Sequence, residues 1–157
     1  MKKSIKFILK IFCILYDLTN YLNMLDQEIV KFLISWINEN TVYEGLLSNL
    51  EIVDLNLEEL QYLACRGKCP ILAFFSPPNI IYIAKLNFND LCNQSILLHE
   101  MIHVFQHQSG NEMQNVFKEQ EAYQIQNKFL MDESFKVERF EQLNLKKCRS
   151  MQSNVLN

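Results

Sequence analysis

The chain has 157 residues, 49% hydrophobic and 21% charged, which suits one domain with a substantial core and excludes wholesale disorder. Its net charge is −3, and removing the four lysines of residues 1–10, which include no acid, leaves a body of −7. An acidic body speaks against nucleic-acid binding, and with no run of about 18 uncharged apolar residues a conventional membrane span is not expected.

Residues 1–16 combine Lys2, Lys3, Lys6 and Lys10 with an apolar stretch, as an export signal or an anchor would. Lys10 interrupts that stretch and no small-residue cleavage site follows, so an uncleaved anchor, a degenerate signal and an amphipathic first helix all stay open. Any membrane association is expected through this segment alone. From Asp17 to Asn38 apolar residues recur at spacings of three and four, through Leu22, Leu25, Ile29, Leu33, Trp36 and Ile37, which predicts a helix with one apolar face. After a break over Asn38–Gly45, Leu50–Val53 reads as a short strand. Asp54 and Asn56 then offer capping side chains to a short helix ending near Ala64.

Cys65 and Cys69 form a CxxxC pair with no second metal-binding half. A local disulfide around Gly67 is expected in an exported chain and two free thiols otherwise. Pro70–Phe75 and Ile80–Ala84 read as strands of a hairpin turned by Pro77-Pro78-Asn79. A long helix is predicted from Asn93 to Gln108, stopped by Ser109-Gly110, and another over Asn115–Met131. Phe135–Leu143 is a candidate last helix. The domain is thus expected over 17–145, with a loose tail over 146–157.

All three histidines fall on the long helix. His99-Glu100-Met101-Ile102-His103 is an HExxH sequence, and residues four apart lie one turn apart on the same face. Two imidazoles so placed can reach one tetrahedral zinc ion, and Glu100 can take a proton from a water that the metal polarises. The apolar flanks Leu97, Leu98, Met101, Ile102, Val104 and Phe105 make this helix largely buried, with His99, Glu100 and His103 as its polar exception. A catalytic zinc needs a third protein ligand. His107 lies about 12 Å along the axis from His99 and reads as a solvated or supporting residue. Glu119 and Glu121 on the next helix are better placed; being two apart they cannot share a face, so one can be a ligand and the other should point away.

HExxH on one helix with Glu119-Gln120-Glu121-Ala122 on the next resembles the gluzincin branch of the zincin metallopeptidases. The sequences His99-Glu-Met-Ile-His103-Val-Phe-Gln106 and Glu119-Gln-Glu-Ala-Tyr-Gln-Ile-Gln126-Asn-Lys-Phe-Leu130 are similar to a family of small bacterial zincin-like domains. The resemblance implies an α+β zincin-like fold with a small sheet packed on the active helix. It also implies Glu119 as the third zinc ligand and a peptide or protein substrate. Tyr123 departs from the gluzincin pattern, where Asp or Asn often supports a ligand histidine. The resemblance further implies a periplasmic, secreted or anchored location and substrate pairing along the strand before the active helix, here Ile80–Ala84. Tyr82 and Tyr123 are candidate donors to the oxyanion of a tetrahedral intermediate.

These readings lead to a zinc metallopeptidase with His99, His103 and Glu119 as ligands and Glu100 as general base. A non-catalytic binding module on the same fold, and a processing protein gated by a partner, are the rival readings.

Overall fold

A computed structural model of the chain describes residues 27–45, 47, 49–110, 112–136 and 148. The expected leader over 1–16, the start of the first helix and most of the expected last helix and tail lie outside the described residues. Helix α1 spans 27–40. Strand β1 (Glu51–Leu55) and helix α2 (Leu57–Cys65) follow, then the hairpin strands β2 (Ala73–Ser76) and β3 (Ile80–Ala84). Helices α3 (Leu91–Gln108) and α4 (Asn115–Ser134) complete an α+β fold. Among the described residues no helix is long and apolar enough to cross a membrane.

Local chemistry sets the element ends. Helix α1 runs two residues past the expected Asn38 because side chains take its last carbonyls: Asn40 donates to Trp36 O, and Thr41 donates both its N–H and its hydroxyl to Ile37 O. Asn56 caps α2 by accepting from the Glu59 N–H at 2.9 Å. Helix α3 begins at Leu91 rather than Asn93, since the Asp90 carboxylate accepts the Cys92 N–H at 2.8 Å. Strand β2 starts later than Pro70: the Ile71 N–H turns back to Cys69 O and is lost to the ladder. Gly110, at φ +66°, makes the left-handed turn that ends α3 and returns the chain as α4.

The three strands lie in the order β1-β3-β2, with β1 parallel and β2 antiparallel to β3. Ile80–Ala84 is therefore the central strand. Its N–H and C=O groups are used on both sides, and it cannot pair a substrate as expected from the resemblance. The sheet's two edges are β1 and β2. Alternation puts Ile81 and Ile83 of β3, fully buried, in one core with Ala73 and Phe75 of β2 and with Leu97, Leu98, Met101 and Ile102 of α3. Tyr82 points to the opposite sheet face, stacked on Phe74 at 5.1 Å.

Helix α1 closes the far side of α4. Trp36 meets Phe129 edge to face at 5.1 Å, and the Lys128 ammonium sits 4.9 Å over the Trp36 ring. Two disulfides join Cys65 to Cys69 and Cys92 to Cys148. The first is the local clasp expected of an exported chain. The second pairs two cysteines that read as isolated, and it attaches buried Cys148 to the first turn of α3.

Candidate metal centre

Helices α3 and α4 pack against each other, and their contact face carries the polar exception foreseen in the sequence. His99 and His103 lie one turn apart with their Nε2 atoms 3.1 Å from each other. The Glu119 carboxylate straddles the pair, Oε2 at 3.4 Å from His99 Nε2 and Oε1 at 3.2 Å from His103 Nε2. Taking one ligand atom from each residue, all three lie within 4.8 Å of one another. This group can hold a metal ion. Tetrahedral coordination with bonds of about 2.0–2.1 Å separates neighbouring ligand atoms by about 3.3 Å, close to the spacing of the two imidazole nitrogens. The donor set points the same way. Two nitrogen lone pairs and a carboxylate converge on one point, and that convergence is stabilised by a cation between them.

Glu121 turns away from the ligand atoms. Its Oε2 accepts from the Gln106 amide at 2.8 Å and from the Tyr43 hydroxyl at 2.6 Å. Glu119 and Glu121 thus divide as their two-residue spacing requires. His107, near the C-terminal end of α3, is exposed and tilts against the Phe75 ring at 5.7 Å, apart from the ligand group. Tyr123 lies inside the site, its ring 4.5 Å from that of His99, whereas Tyr82 is on the wrong face of the sheet to donate there.

Glu100 is buried beside the two histidines, 8% exposed. Burial raises its carboxyl above the usual carboxylate range, opposed by His99 and His103, reinforced by Glu119 and opposed again by the Phe75 backbone N–H, which donates to it. Burial lowers the His103 imidazole, but the hydrogen bond to Glu119 and the Glu100 charge outweigh it and the net shift is upward. Glu119 is held far below the usual carboxylate range, first by its hydrogen bond with His103 and then by that with His99. Burial pushes the Tyr123 phenol up, with help from Glu119 and Glu100, so it stays a donor at neutral pH.

Sequence reading gave no role to the groups that hold the imidazoles from behind. His99 Nδ1 meets Gln126 Oε1 at 3.1 Å, and His103 Nδ1 meets Gln106 Oε1 at 2.8 Å. Both glutamines are buried, at 2% and 1% exposure. Gln126 supplies the support that Tyr123 cannot. Both stand within the two stretches that carried the resemblance, Gln106 three residues after His103 and Gln126 seven after Glu119.

The group opens into a cleft of about 490 Å³. Its floor is His99, Glu100 and His103, one wall is α4 with Glu119 and Tyr123, and the other wall is β2 with the preceding Pro70–Leu72. The ladder register pairs Phe74 with Tyr82 and Leu72 O with Ala84 N. Main-chain groups of Ala73 and Phe75 consequently face outward, toward the cleft. Set against protein-family models, curated proteins and solved structures, the chain matches none. Fold and site together define an α+β domain with a His, His, Glu group able to hold a metal at the foot of an open strand edge.

Proposed function

We propose that the chain is a zinc-dependent peptidase of zincin-like architecture. The observation that carries this reading is the convergence of His99, His103 and Glu119 with buried Glu100 alongside, in a cleft walled by a free strand edge. Two imidazoles and one carboxylate suit zinc better than calcium or magnesium, which prefer all-oxygen sites. Zinc held there supplies Lewis acidity, lowering the pKa of a water toward about 7 and polarising a carbonyl.

The chain's own residues do the rest. Glu100 accepts the proton of the attacking water and returns it to the leaving amine, a task favoured by a carboxylate whose pKa burial has raised. The outward-facing groups of Ala73 and the C=O of Phe75, whose N–H is taken by Glu100, align a peptide main chain by strand addition, so β2 takes the part first assigned to Ile80–Ala84. The Tyr123 hydroxyl donates to the oxygen that gains charge as the carbonyl is attacked.

The test begins with zinc content of the purified protein, followed by Glu100→Gln. Stoichiometric zinc in both proteins, with hydrolysis of a peptide library lost by at least about 100-fold in the variant, supports the reading. Unchanged hydrolysis removes Glu100 as the base. Zinc that is bound yet inaccessible to a hydroxamate indicates a closed structural centre instead.

A further inference from the structure

The contacts behind His103 run further than one amide. Gln106 accepts from His103 through Oε1 and donates through Nε2 to two acceptors, Lys118 O at 3.0 Å and Glu121 Oε2 at 2.8 Å. A backbone carbonyl cannot donate, so the amide nitrogen must face α4 and the amide oxygen must face the imidazole. That polarity makes Nδ1 of His103 the donor to Gln106; once an ion takes the place of the hydrogen that Nε2 otherwise directs at Glu119, the neutral imidazole carries its hydrogen on Nδ1 and presents the Nε2 lone pair. Tyr43, 7% exposed and stacked on Phe105 at 5.7 Å, holds Glu121 from the other side through its hydroxyl.

We propose that Tyr43, Glu121 and Gln106 form a positioning chain that fixes the tautomer and orientation of His103, with Glu121 acting through the amide and not as a ligand. The segment after α1 is thereby coupled to the metal centre through α4 and α3. A parallel chain supports the proposal. The Ser95 hydroxyl donates to Cys92 O at 2.7 Å, so it must accept from Gln126 Nε2 at 3.1 Å, and this turns Gln126 Oε1 toward His99 Nδ1. Two buried amides with the same polarity thus face the two histidines, and the amide behind His103 donates to an acid where that behind His99 donates to a hydroxyl.

Two measurements test this, and the first needs no metal. Nitrogen-15 imidazole spectra of metal-free Glu119→Ala protein, which lacks the carboxylate that competes for a hydrogen at Nε2, should at about pH 9, above the ordinary histidine range, show His103 as the Nδ1–H tautomer. Gln106→Leu in the same background should give a mixture of tautomers. The second arm rests on the zinc reading above. Gln106→Glu sets carboxylate against carboxylate and should weaken zinc binding by about 10–100-fold. The swap Gln106→Glu with Glu121→Gln restores a donor facing an acceptor at that contact and should recover part of the loss, the Lys118 carbonyl still facing a carboxylate oxygen. Tyr43→Phe, which keeps the ring on Phe105, should give a smaller loss in the same direction.

A swap no tighter than Gln106→Glu alone, or a His103 tautomer unchanged in Gln106→Leu, overturns the proposal. If Gln106→Leu does not fold, the swap and Tyr43→Phe still decide it. If the wild-type chain binds no zinc, the zinc reading fails while the tautomer spectra still judge the chain.

Discussion

The Phe75 backbone N–H donates to the Glu100 carboxylate, so the edge strand and the active helix meet at a single acid. The same strand that can align a peptide also aims the side chain that would receive a proton. A change in β2 that shifts Phe75 therefore moves the Glu100 carboxylate, with His99, His103 and Glu119 untouched.

Alanine substitution separates the parts played by Glu119 and Glu121 of α4. Glu119→Ala takes away the carboxylate that contacts both imidazoles and should leave zinc well below one equivalent after dialysis. Glu121→Ala should retain the metal with lower affinity, since it acts only through Gln106. Metal analysis by atomic emission reads the difference, and loss in the second variant alone would reverse the assignment.

Stability should change sign with pH according to whether the ion is bound. In metal-free protein His103 titrates above its ordinary 6.5, so its contribution is full below that value and is lost as pH rises through the folded-state value. Glu100, raised above 4.5, acts in the same direction. Glu119 acts oppositely, contributing above its ordinary 4.5 and losing that only in strong acid; its half-exposed side chain also weakens the effect. With chelator present, the melting temperature should fall between about pH 5 and pH 8. With zinc it should rise over the same window, because both imidazoles must be neutral to bind. Parallel thermal scans decide this, and profiles of the same slope would exclude a two-histidine site.

Trp36→Ala should lower unfolding free energy by about 3–5 kcal/mol. Trp36 is 4% exposed and fills the α1–α4 contact against fully buried Phe129. Urea denaturation measures the loss. A change below about 1 kcal/mol would mean that α1 is not packed on α4 in solution.

The two disulfides should differ in value. Cys92–Cys148 closes 56 positions and Cys65–Cys69 only four, which chain entropy converts to about 4 and about 2 kcal/mol. Cys92→Ser should accordingly lower the melting temperature more than Cys65→Ser. Peptide mapping under non-reducing conditions checks the pairing directly.

What the sequence made legible was local. The HExxH spacing needs only a helix, and His99 and His103 converge because α3 forms. The division between Glu119 and Glu121 follows from their being two apart. The role of Gln126 was opaque: three glutamines lie on α4, and its contacts with His99 and Ser95, 27 and 31 positions away, single it out. Strand order was opaque for a related reason. The hairpin joins β2 to β3, but which of them is central depends on where β1 docks.

Every side chain of the ligand group, together with Glu100 and both supporting amides, comes from the helical hairpin α3–α4, while β2 offers main-chain groups that any non-proline residue would supply. Under the peptidase reading, holding the ion and choosing the substrate are encoded in separate stretches of the chain. The side chains of β2 and of Pro70–Leu72 can vary, and with them the preferred peptide, while the metal centre is inherited unchanged.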